Sequence, residues 1–103
     1  MTAEHSEDVL LCNARLTLDI TWDDSETNLK LSRIIERAKA RLNEQAGTEV
    51  DYVQDQIAEQ LLMDYVRYIW NNSAEDFEVN FKSELIHFRN RYKVRRFKAE
   101  MQK

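Results

Sequence analysis

The side chains able to carry chemistry are few and scattered. His5 and His87 are the only histidines and Cys12 the only cysteine. Nucleophilic catalysis needs a Ser, Cys or Lys held beside a base. His87 lies in a helical pattern without an obvious partner, so it reads as a surface or half-buried helix residue rather than a general base. Carboxylates are plentiful, but Glu36, Glu44 and Glu59 fall at solvated helix positions, and paired-carboxylate catalysis needs one desolvated member. One cysteine and two distant histidines give no zinc spacing, and Asp23-Asp-Ser-Glu26 lacks the glycine and the length of a calcium loop. Gly47, the only glycine, follows a helical stretch instead of opening one, which leaves no glycine-rich loop to cradle a phosphate. No catalytic site, metal or cofactor is therefore expected, and the chain does not read as an enzyme.

Binding chemistry concentrates at one end. Residues 1–81 carry 7 Lys/Arg against 17 Asp/Glu, a net of −10, while residues 82–103 carry 8 against 2, a net of +6. The segment from Arg89 to Lys103 admits three readings. It can be a solvated, frayed end. It can be a nucleic-acid patch, since Tyr92 and Phe97 are interleaved with Lys and Arg. It can also be a docking segment, because Val94, Phe97 and Met101 stand at i, i+3 and i+7 and form an apolar stripe once the segment is helical. A tail that only touched phosphates has little need of that stripe, which favours docking through Lys93, Val94, Arg95, Arg96, Phe97, Lys98 and Met101. The segment from Lys93 is expected to be disordered alone and helical when bound.

The elements that must position these groups are helices. With no proline and one glycine, the chain lacks the turn residues that sheets require every 8–12 positions or so. A short helix is expected over about 6–16, with Val9, Leu10 and Cys12 or Asn13 toward one side. Leu18, Ile20 and Trp22 alternate in a linker that reads as extended, with Trp22 as a buried anchor. Asp23 and Glu26 form a capping box that opens a long helix to about Ala46. Its apolar positions Leu31, Ile34, Ile35, Ala38 and Leu42 share one face, and Gly47 follows where a left-handed residue is wanted. Asp51 with Gln54, or Thr48, opens a third helix through Val53, Ile57, Leu61, Leu62, Tyr65 and Tyr68 to about Trp70. Ser73 with Asp76 opens a fourth, striped by Phe77, Phe81, Leu85, Phe88 and Tyr92. The expected core is Ile34, Ile35, Leu42, Ile57, Leu61, Tyr65, Phe77, Phe81 and Leu85.

The expectation is thus an all-α fold, a small bundle of about four helices with a short N-terminal helix, an extended linker and a C-terminal arm. The helical domain spans residues 1–92 and the basic arm residues 93–103. At 103 residues there is room for one domain. No apolar run approaches the roughly 20 residues that span a bilayer. The acidic start, lacking a basic signal-peptide region, and the single cysteine point to a reducing cytoplasm.

Three stretches together carry a family resemblance. They are Leu18-Asp-Ile-Thr-Trp-Asp-Asp24, Leu31-Ser-Arg-Ile-Ile-Glu-Arg-Ala-Lys-Ala-Arg-Leu-Asn43 with Ala46-Gly-Thr48, and Leu61-Leu-Met-Asp-Tyr-Val-Arg-Tyr68 followed by Asn71-Asn72 and Phe77-Glu-Val-Asn-Phe-Lys-Ser-Glu-Leu85. In order and spacing they resemble the head-tail connector (adaptor) proteins of tailed bacteriophages, over about residues 16–92. The resemblance implies a small helical protein whose copies form a ring, usually of twelve, beneath the portal of a DNA-filled capsid. Such a ring extends the channel through which DNA passes and carries the stopper or tail-completion protein. The resemblance further implies portal docking through the C-terminal segment, here Lys93 to Lys103, and residence at the head–tail interface of the virion. The runner-up is a small helical nucleic-acid-binding protein that uses the basic C-terminus. An acidic body suggests that acidic faces line the channel and keep DNA from sticking.

Overall fold

Helices have to be stopped, and with one glycine available the chain uses three different residues to do it. The computed structural model describes the backbone of residues 3–101 and the side chains of residues 8–101. Five helices follow one another: α1 (Ala3–Thr17), α2 (Ser25–Ala46), α3 (Gln56–Trp70), α4 (Ala74–Asn80) and α5 (Lys82–Met101). Asp19 (φ 57°), Gly47 (φ 74°) and Asn72 (φ 58°) are the left-handed residues that end α1, α2 and α3. At Asp19 the N–H of Ile20 reaches the Arg15 carbonyl at 2.9 Å and the N–H of Asp19 reaches that of Leu16. At Asn72 the N–H of Ser73 reaches the Tyr68 carbonyl at 2.8 Å and the N–H of Asn72 reaches that of Ile69. Both are Schellman closures, which satisfy carbonyls that a helix end leaves orphaned. Asp and Asn tolerate the left-handed region because their short polar side chains suit it better than most L-residues.

The all-helical character expected from composition is present, with five helices in place of about four and no strand among the described residues. The expected fourth helix is divided at Phe81. The N–H of Phe81 still bonds the Phe77 carbonyl and that of Leu85 bonds Phe81, so the chain bends without a loop. At the bend Phe77 and Phe81 stack at 4.6 Å between centroids, and Tyr68 meets each edge-on. Tyr65 stacks on the other side of Phe77 at 4.2 Å.

Several boundaries differ from expectation. The cap of α2 is Asp24, not Asp23: its carboxylate accepts from the Glu26 N–H and the Thr27 hydroxyl. Asp23 instead accepts from the Asn28 amide at 2.8 Å. Asp51 accepts from the N–H groups of Val53 and Gln54, which makes a turn, and α3 starts later with Asp55 as its cap. The linker is shorter than expected, because Thr17 is still helical and Leu18–Asp19 turn. Ile20 is buried, but Trp22 is half exposed and its indole N–H donates to Thr27, so it is not a buried anchor.

α2 is the hub, packing against α1, α3 and α5. Its buried side chains Leu31, Ile34, Ile35, Ala38 and Leu42 are the expected stripe, extended by Ala46. α1 contributes Leu10 and Ala14, one turn apart, while Cys12 faces outward. Of the nine expected core residues, Ile34, Ile35, Leu42, Leu61, Tyr65, Phe77 and Leu85 are buried, and Phe81 packs partly buried against them. Ile57 is the correction: it is 65% exposed. It shares a helix face with Leu61, but it lies in the first turn of α3, where no neighbouring helix covers it. The molecule measures 48 × 34 × 17 Å, with a radius of gyration of 14.4 Å against about 13 Å for a compact domain of this length.

Candidate docking surface on the last helix

α5 changes character at Tyr92. Up to that point Leu85, Phe88 and Tyr92 face the core; from residue 93 to residue 101 every side chain is exposed. The helix itself runs unbroken across the change to Met101. At ~100° per residue, Val94, Phe97 and Met101 fall on the side of α5 turned away from Leu85, Phe88 and Tyr92. They are 51%, 62% and 72% exposed, so the stripe belongs to no part of this chain's core. Lys93 flanks it on one side and Lys98 on the other, and neither has an ion-pair partner among the described residues.

The arm leaves the body from a polar anchor built on Asp55. This carboxylate caps α3 by accepting from the Ala58 N–H at 3.1 Å. Its second oxygen accepts from the Tyr92 hydroxyl at 2.5 Å, from Arg91 at 2.8 Å and from Arg95 at 3.4 Å. The Asp55 side chain is only 9% exposed. Burial alone pushes its pKa up; the Tyr92 hydroxyl, the Ala58 N–H and the two guanidinium groups outweigh that and hold the carboxyl below the usual range. For Tyr92, burial and then the Asp55 carboxylate raise the phenol above its ordinary value. Arg95 also lies over the Tyr92 ring at 4.8 Å. Nearby, Arg89 donates to the Gln45 amide oxygen, and the Arg96 guanidinium lies where a side chain on Gly47 would begin.

The structure therefore divides the seven residues assigned to docking from the sequence. Lys93, Val94, Phe97, Lys98 and Met101 are presented outward, whereas Arg95 is turned back to Asp55 and Arg96 to Gly47. Asp55, on which this anchor is built, is the residue that the sequence reasoning missed. The signal lay in Asp55 standing three residues before Ala58, an N-cap spacing obscured by counting Val53 into the same helix.

Among the described residues no three His, Cys, Asp or Glu side chains cluster as metal ligands, and no helix is long and apolar enough to cross a membrane. His87 is exposed on α5. Comparison with protein-family models, with curated proteins and with solved structures finds no match for this chain.

Proposed function

We propose that this chain is a structural head-tail connector of a tailed bacteriophage, an adaptor that acts by binding and performs no catalysis. The observation that carries the reading is the exposed Val94-Phe97-Met101 stripe, bracketed by Lys93 and Lys98, on a helix whose inner face is already spent on the core. A stripe of this kind is the recognition face of a helix that lies in a partner's apolar groove. The order of the Ile20-Thr-Trp-Asp-Asp24, Ala46-Gly-Thr48 and Phe77-to-Leu85 segments supplies the family side of the case. In this reading the arm docks on the portal protein, the body packs against neighbouring copies in a ring, and the far side receives the stopper or tail-completion protein. DNA passes through the ring without sequence-specific binding, and the site of action is the head–tail interface of the virion.

The test is co-sedimentation with the purified cognate portal, using the full chain and a chain truncated after Tyr92. Saturable binding near one copy per portal subunit, lost on truncation and weakened at least tenfold by Phe97→Asp, is the expected result. An anchor of this kind typically supplies about 2 kcal/mol or more. No portal binding, together with tight DNA binding that falls steeply with salt, would replace the adaptor reading with the nucleic-acid one.

A further inference from the structure

A second unpartnered surface lies on the body. α3 and α5 both rest on α2, and a groove of about 430 Å³ runs between them. Its floor is Leu61 and Phe88, and Ile57, the residue left out of the core, stands along its edge. Asp64 stands on the α3 wall and Glu84 on the α5 wall. The one cation lining the groove, Arg91, is committed to Asp55. Asp64 holds Arg67 at 3.3 Å one turn along the same helix, a contact between a largely buried carboxylate and a half-exposed arginine that a cation entering the groove would share or replace. Glu84 has no ion-pair partner among the described residues.

The groove thus asks for a helix with an apolar stripe and a cation along each flank. The arm of this chain has that pattern: Val94, Phe97 and Met101, with Lys93 on one side and Lys98 on the other. It cannot fold back into its own groove, because α5 is one continuous helix and the groove lies along its earlier turns. We infer that the occupant is the arm of a second copy, and that free copies associate arm into groove. The two surfaces differ, so the contact is heterologous: each copy offers one arm and one groove. This contact stands independently of the adaptor reading. The proposed portal contact uses the same stripe, so the two exclude one another, and self-association would keep the arm covered until a portal displaces it.

Sedimentation of the full chain over rising concentration, under reducing conditions because Cys12 is exposed, tests the inference. Ile57 and Phe97 are both exposed, so Ile57→Asp and Phe97→Asp leave the fold intact. The wild type is expected to grow in average mass with concentration, while each variant alone stays at the monomer mass. An equal mixture of the two variants recovers a dimer, because one supplies the sound arm and the other the sound groove. A wild type that stays monomeric to about 1 mM would overturn the inference. So would association that survives Ile57→Asp, or a mixture that stays monomeric. Portal binding by Ile57→Asp, whose arm is intact, reports on the adaptor reading separately.

Discussion

Asp55 performs two tasks with one carboxylate, and its protonation bears on both. One oxygen closes the first turn of α3 and the other gathers Tyr92, Arg91 and Arg95 from α5. Its folded pKa lies below the ordinary 3.8, so between the two values the unfolded chain binds more protons than the folded one. Stability from this group is therefore fully present above about pH 4 and is lost as pH falls through the folded value. Asp55→Asn retains a capping oxygen and loses the charge. We expect it to cost about 1–2 kcal/mol at neutral pH, with a shallower loss of stability below pH 4 than the wild type, read from thermal melts across pH 2–7. An equal acid slope in the two proteins would show that Asp55 is not the group responsible. None of this network was legible in the sequence, because it joins residues 36 and 37 positions apart. Spacing within one helix reports nothing about which carboxylate a later helix will meet.

At the scale of elements, apolar periodicity fixed what exists, while caps and stops decided where it begins and ends. The stripe from Leu31 to Leu42 predicts the buried face of α2, since a 22-residue helix at the centre must keep one side dry along its length. Boundaries were harder to read. Asp23 and Asp24 are adjacent and both suited to capping, so the backbone had to choose; for α3 the sequence offered Asp51 or Thr48, and the cap is Asp55. Ile57 was misjudged because periodicity assigns a face and cannot say whether a neighbour extends far enough to cover it. The left-handed stops at Asp19 and Asn72 were hidden because neither residue is glycine. Their chemistry makes a specific contrast. Asn72→Ala and Gly47→Ala should each destabilise by about 1–2 kcal/mol, because an ordinary L-residue pays steric strain at positive φ. Asn72→Gly should lie within about 0.5 kcal/mol of the wild type. At Gly47 the added Cβ would stand 2.9 Å from Arg96 Cζ, but that is the far end of a flexible side chain, so backbone strain sets the cost. Denaturant midpoints for the three variants measure this directly, and equal losses for Asn72→Ala and Asn72→Gly would refute the conformational explanation.

The whole molecule is polarised, with an acidic body and a basic end joined by one helix. Burial, not backbone, marks the division: α5 continues past Tyr92, yet every side chain from residue 93 to residue 101 is exposed. An element that buries nothing adds little to the core's stability, and its helicity there rests on propagation from the anchored turns. Removing residues 93–103 should therefore leave a folded body. The identifiable losses are two contacts of the half-exposed Arg95, with Asp55 at 3.4 Å and over the Tyr92 ring at 4.8 Å, while Arg91 and Tyr92 still hold the same carboxylate. Such a contact contributes about 1 kcal/mol or less. The chain ending at Tyr92 should unfold cooperatively within a few degrees of the full chain, by calorimetry or circular dichroism. A chain ending at Phe81 removes Leu85, Phe88 and Tyr92 from the core and should not fold, since losing several large buried side chains exceeds a small domain's whole stability. If truncation after Tyr92 also abolished folding, the arm would be part of the core and could not be a surface held out for a partner. Survival of the fold, with loss of binding on the same truncation, is the combination that a docking arm requires.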